Sequence, residues 1–69
     1  MQISARNTIK ATVKKIIPGV VSTEVTLEIA PGVEVTSLIT KSSGEKLHLT
    51  VGKQAYIVIK ATDVMVAVD

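Results

Sequence analysis

Three short segments of this 69-residue chain are rich in hydrogen-bond donors. The segment SARN at residues 4–7 holds the only arginine, Arg6, beside a serine and an asparagine. Near the other end, IKATDV adds the ammonium of Lys60 and the hydroxyl of Thr62, and a break in the middle, TKSSG, adds Ser43. Cationic groups, hydroxyls and backbone N–H groups together are what a small oxyanion requires. Residue types alone do not decide the matter, because such residues are more often ordinary solvated surface groups.

Other kinds of chemistry find little support in the sequence. His48 is the only histidine and there is no cysteine, so no site for a bare metal cation is expected. The four glycines are isolated, which excludes a glycine-rich phosphate loop. Glu24 and Glu28 fall on one face of a predicted strand. Solvated carboxylates are usual on such a face, so we do not interpret the two residues as a catalytic acid pair. With no nucleophile and base pair, we do not expect an enzyme.

Length and composition predict one small domain over residues 1–69 that associates with copies of itself. A chain of 69 residues with no disulfide buries little of its surface alone, yet 46% of its residues are hydrophobic and its mean hydropathy is +0.43. Oligomerisation would cover that excess apolar surface. The sequence therefore predicts a homo-oligomer.

The charge of the chain and its lack of evident targeting signals predict where the protein is located and which partners it does not bind. No apolar run approaches the length of a membrane span and no signal peptide is evident, so we expect a cytoplasmic protein with no membrane partner. The net charge is +2, and the lysines are dispersed. Tyr56 is the only aromatic residue, which leaves single-stranded nucleic acid without a stacking surface. Nucleic acid is therefore not an expected partner.

Alternation of apolar and polar residues predicts five short strands. Ser42 and Glu45 form a possible capping box for a helix of at most two turns after the third strand. The predicted strands cover residues 8–17, 23–29, 33–40, 55–60 and 64–68. This order is that of an all-β, OB-like five-stranded Greek-key barrel with one short helix, although an open five-stranded sandwich fits the same pattern.

Three blocks together resemble a known family. ISARN at 3–7, PGVVSTEV at 18–25 and VIKATDVMVAV at 58–68 are similar to the molbindins, small bacterial molybdate-binding proteins of the Mop type. The blocks span nearly the whole chain, and nothing is left for the partner domains to which this module is fused in some proteins. The resemblance implies the free-standing form, with an OB-like barrel, a hexamer built as a trimer of dimers, and an N-terminal strand exchanged across each dimer.

The resemblance also implies a ligand and the residues that hold it. Molybdate or tungstate would lie between subunits, with no organic cofactor. His48 stands where the family often has glycine, and no role is carried over to it. A second class of site would involve Gly19, Val20, Ser22 and Thr23. The main oxyanion ligands would be Ser4, Ala5, Arg6, Ser43, Lys60, Ala61 and Thr62, with Arg6 acting mainly through its backbone N–H.

Two alternatives from other functional classes stay open. One is a nucleic-acid or regulatory interaction module built on the same barrel. The other is a binder of the pterin cofactor itself, although a pterin ring favours aromatic stacking and this chain offers one tyrosine.

Overall fold

The computed structural model describes residues 4–69 of the chain. Four strands form one antiparallel sheet in the order β3-β2-β1-β4. A short helix follows β3 and a 3-10 turn follows β4. The elements are β1 (Asn7–Pro18), β2 (Ser22–Ala30), β3 (Val33–Thr40), α1 (Lys41–Lys46), β4 (Gln54–Ile59) and the 3-10 turn Ala61–Asp63.

Strand β1 is central because it pairs with two neighbours over different parts of its length. Its first half pairs with β4, from Asn7 opposite Ile59 to Thr12 opposite Gln54. Its second half pairs with β2, ending at Pro18 opposite Thr23. The register shifts between Val13 and Lys15, and this bulge bends the strand. One 12-residue strand can thus serve both pairings.

The core lies on one face of the sheet, as the alternation predicts. Val13 and Val25 are fully buried, and Ala11, Leu27 and Ile57 pack with them. The intervening residues of these strands are more exposed. The four strands predicted over residues 8–17, 23–29, 33–40 and 55–60 are confirmed, each to within one residue at either end.

Helix α1 begins differently from the prediction. Thr40 is the N-cap: its backbone is extended (φ −68, ψ 151) and its Oγ1 accepts from the Ser43 N–H at 3.0 Å. Ser42 lies inside the first turn, so the predicted capping box of Ser42 and Glu45 is wrong. The six-residue length agrees with the expected limit of two turns.

The segment after the helix contains the one non-glycine residue in the described chain with positive φ, His48 at 52°. An L side chain is strained there, which is why glycine is favoured in such positions. The Nζ of Lys53 donates to the carbonyls of Leu47 and His48 at 2.9 and 3.2 Å, and so satisfies two carbonyls just beyond the helix.

The fifth predicted strand, at residues 64–68, is not formed within the chain. Residues 64–69 lack a strand partner, and Met65, Val66 and Val68 are 88–94% exposed. The structure is therefore a four-stranded sheet with a short helix, and the closed five-stranded barrel is not seen. The alternation predicts an extended apolar segment, but whether such a segment joins a sheet depends on its tertiary context and not on the alternation. Within residues 4–69, no helix is long and apolar enough to cross a membrane.

The N-cap assignment predicts the effect of two similar substitutions. Thr40→Ala removes the side-chain acceptor for the Ser43 N–H and should lower the free energy of unfolding by about 1 kcal/mol. Ser42→Ala leaves the cap in place and should change it by less than about 0.5 kcal/mol. Urea denaturation of both variants at one protein concentration tests this, and a larger loss for Ser42→Ala would contradict the assignment.

Candidate functional site

The pairing of β1 with β4 brings two of the three donor-rich segments together. Asn7 begins β1 opposite Ile59, the last residue of β4, and its Nδ2 donates to the Ile59 carbonyl at 3.2 Å. The strands are antiparallel, so residues 4–6 and residues 60–62 leave the sheet at the same end.

The turn after β4 includes two backbone N–H groups that have no partner within the turn itself. The Asp63 N–H donates to the Lys60 carbonyl at 2.9 Å, which closes the 3-10 turn. The N–H groups of Ala61 and Thr62 precede that bond and have no partner within the turn. Asp63 is the only carboxylate in either segment. We call this group of mostly exposed residues the donor end: Ser4, Ala5, Arg6, Lys60, Ala61 and Thr62.

The structure places Ser43 elsewhere, near the opposite end of β1. Ser43 follows β3, whose last residue, Thr40, pairs with Ser22 on β2, and Ser22 adjoins the β1–β2 turn. We call this group the loop end: Gly19, Val20, Ser22, Thr23 and Ser43. The predicted oxyanion ligands are thus divided, six at the donor end and Ser43 at the loop end.

Backbone geometry fixes the turn at the loop end. The Gly19 N–H donates to the Ser22 carbonyl at 2.7 Å, and the Lys41 N–H donates to the Val21 carbonyl at 3.0 Å. A Cβ on Gly19 would lie 2.7 Å from the Ser22 carbonyl oxygen, so a larger residue would force the turn to shift. The turn therefore needs glycine at this position.

The side chains at the loop end differ in their exposure to solvent and in their hydrogen bonds. Thr23 is 5% exposed and lies against Gly44, so its hydroxyl faces the interior, whereas Val20 is 93% exposed. Thr40 Oγ1 donates to Ser43 Oγ at 2.8 Å and accepts from the Ser43 N–H. The Ser43 hydroxyl hydrogen is left available for an acceptor outside the chain.

A groove and a cleft on the described surface are both lined by residues outside the donor end. A groove of about 430 Å³ runs between β3 and β4 and is lined largely by apolar side chains. A second of about 330 Å³ lies beside the helix and includes Thr23, Lys41 and His48. Among residues 4–69, no three His, Asp or Glu side chains cluster as a cation site would require. The donor-end residues are mostly exposed in the described chain.

Comparison with known proteins identifies the family. Residues 3–66 match the TOBE domain. Molybdenum-pterin-binding protein 1 of Clostridium pasteurianum is 47% identical over 66 residues, which cover 96% of this chain and 97% of that protein. The chain belongs to the Mop-type molybdenum-pterin-binding proteins of the TOBE domain family. The resemblance seen in the sequence is therefore confirmed.

Solved structures of Mop-type proteins share this fold. A molybdate-binding protein from Sporomusa ovata superposes with a TM-score of 0.91 at 36% identity, covering 97% of this chain and 98% of that one. The cytoplasmic molybdate-binding protein ModG, solved with molybdate bound, gives 0.82 at 46% identity, covering 88% of this chain and 43% of ModG. The all-β fold with one short helix is thus that of molybdate-binding Mop structures.

Two residues have roles that the sequence did not suggest. The amide of Asn7 was one of the donors in SARN, but it is used to hold β1 to β4. Thr40 caps the helix and orients Ser43. A threonine directly before a helix is a usual N-cap signal, so Thr40 was recognisable in principle, whereas the partner of Asn7 depends on strand order.

The Asn7 contact can be tested by substitution. Asn7→Ala removes a partly buried hydrogen bond across 52 residues of sequence and should lower the free energy of unfolding by about 1 kcal/mol. Gln54→Ala, which truncates an exposed amide at the start of β4, should change it by less than about 0.5 kcal/mol. Denaturant titration of both variants measures the difference, and equal effects would mean that the Asn7 contact contributes nothing.

Proposed function

We propose that this protein binds molybdate, or the nearly isosteric tungstate, at sites formed between chains of a homo-oligomer. The role is storage and homeostasis of the oxyanion in the cytoplasm, without covalent chemistry and without an organic cofactor. The main ligands are Ser4, Ala5, Arg6, Ser43, Lys60, Ala61 and Thr62. The single observation that carries the proposal is the convergence of residues 4–6 and 60–62 at one end of the sheet.

The chemistry of the donor end suits a tetrahedral dianion. Arg6 and Lys60 supply two positive charges, which balance the ligand once water is excluded. Ser4 and Thr62 supply hydroxyls, and the Ala61 N–H has no partner within its turn. The one opposing charge is Asp63, for which we expect an orientation away from the ligand. Because sulfate has the same shape and charge, discrimination against it rests on the size of the enclosed cavity.

The position of Ser43 supports a site shared between chains. Within one chain Ser43 belongs to the loop end and the other ligands to the donor end. Its hydroxyl hydrogen is free to donate, so a second chain can present Ser43 to the donor end of the first. We propose the hexamer that the family resemblance implies, a trimer of dimers, as the assembly that brings these ends together.

The remaining loop-end residues form the proposed second class of site. Gly19, Val20, Ser22 and Thr23 supply backbone groups and the Ser22 hydroxyl. Thr23 contributes through its backbone, because its side chain is buried. Exposure of Val20 and Val21 in the single chain agrees with a location where chains meet.

Pterin binding is the second candidate, because the relatives are named molybdenum-pterin-binding proteins. Tyr56, the only aromatic residue, lines the groove between β3 and β4 and lies in none of the proposed oxyanion sites. A pterin bound there would be separate from the donor end. Pterin fluorescence in the purified protein would support this candidate.

Calorimetric titration with molybdate tests the proposal. The wild-type protein should release heat with molybdate and tungstate and bind sulfate far more weakly. Lys60→Gln should weaken molybdate binding by about 10- to 100-fold, because a charge-assisted hydrogen bond contributes about 1.5–3 kcal/mol. Ser43→Ala should weaken it by a smaller factor.

A matched control separates a specific site from general attraction of anions. Lys15→Gln removes the same charge from an exposed position at the β1 bulge, outside the donor end, and should leave affinity within about twofold. Equal weakening by Lys15→Gln and Lys60→Gln, sulfate binding as tight as molybdate, or no heat at all would contradict the proposed function.

A further inference from the structure

We infer that Thr40 is a specificity-determining residue of the oxyanion site: it fixes the position of Ser43, and the fixed Ser43 favours molybdate over the smaller sulfate. The inference rests on the proposed function, in which Ser43 is a ligand, and it assigns a role to a residue outside the proposed ligand set. Its basis is the set of hydrogen bonds around Ser43 in the described chain.

The polar groups of Ser43 are held within the chain, with one exception. Its N–H donates to Thr40 Oγ1 at 3.0 Å, and its Oγ accepts from Thr40 Oγ1 at 2.8 Å. Its carbonyl accepts from the Leu47 N–H at 3.0 Å. The hydroxyl hydrogen of Ser43 is the group that remains for a ligand. Because the Thr40 hydroxyl makes two of these bonds, it fixes both the backbone and the side chain of Ser43.

Thr40 is itself anchored to the sheet. It is the last residue of β3 and lies opposite Ser22 on β2. The N–H of the next residue, Lys41, donates to the Val21 carbonyl at 3.0 Å. The hydroxyl that holds Ser43 is therefore carried by a backbone tied to β2 on both sides of the start of the helix. A donor supported in this way has little freedom to move toward a ligand that is too small.

This restraint bears on the choice between anions of equal shape and charge. Sulfate is smaller than molybdate because S–O bonds are shorter than Mo–O bonds. A donor fixed where it reaches molybdate leaves a longer contact to sulfate, and a poorly made hydrogen bond in a site that excludes water costs affinity. A Ser43 released from Thr40 could follow the smaller anion. Loss of the Thr40 hydroxyl should therefore weaken the binding of molybdate more than that of sulfate.

Thr40→Val tests the inference, because valine has nearly the shape of threonine but no hydroxyl. In calorimetric titrations, with sulfate measured by competition against molybdate, the affinity for molybdate should fall about three- to tenfold and that for sulfate by no more than about twofold. Thr40→Ser keeps the hydroxyl and should retain the wild-type preference. Thr40→Gly is a second variant without the hydroxyl, and it should narrow the preference as Thr40→Val does, since glycine is tolerated at an N-cap.

The same substitution in a Ser43→Ala background separates positioning from general damage to the fold. If Thr40 acts through Ser43, adding Thr40→Val to Ser43→Ala should change the affinity for molybdate by less than about twofold. A loosened fold would instead weaken binding in both backgrounds. Circular dichroism checks that each variant is folded before it is titrated.

The outcomes distinguish this inference from the proposed function. An unchanged preference in Thr40→Val and Thr40→Gly, or equal weakening in both backgrounds, overturns the inference while the wild-type and Lys60→Gln titrations still support the function. Wild-type affinity in Ser43→Ala also overturns the inference alone, because Ser43 would then not be a ligand. A wild-type protein that does not bind molybdate overturns both.

Discussion

The double pairing of β1 is the constraint on which the rest of the structure depends. At Val13 the strand passes from one neighbour to the other: its N–H donates to the Lys53 carbonyl, its carbonyl accepts from Gly52, and its Cα lies opposite Leu27. The side chain of Val13 is fully buried at that crossing. A change there would disturb both pairings, and with them the position of each end of the strand.

The sequence was sufficient for most of the fold because a half-buried strand imprints a period of two on its residues. It was insufficient where two residues satisfy the same local rule. Thr40 and Ser42 are both good N-caps, and the extended backbone at Thr40 decides between them. It was also insufficient for residues 64–68, whose pattern indicates a strand but which form none in the described chain. The alternation of residues within a segment does not show which strand, if any, pairs with that segment.

The candidate site, like the fold, could be predicted from the sequence only in part. Residue types were enough to single out Arg6, Lys60 and their neighbours as a set of hydrogen-bond donors, but they did not decide between an anion site and ordinary solvated surface groups. Their convergence, and the separation of Ser43 from them, depend on strand order, which a single sequence does not determine. Asn7 illustrates the difference: its amide suits an anion equally well, but it is used against the Ile59 carbonyl. His48 is another case that the sequence did not reveal, since its left-handed backbone is a conformation that favours glycine.

The bend in β1 has a consequence for symmetry. With the donor end at one terminus of the strand and the loop end at the other, the chain has a polarity, and a ligand that joins unlike ends makes a head-to-tail contact. Repeated contacts of this kind either close into a ring or continue as a filament. If chains join by unlike ends, the angle between the two ends of β1, which includes the bend at the bulge between Val13 and Lys15, sets how many chains complete a ring.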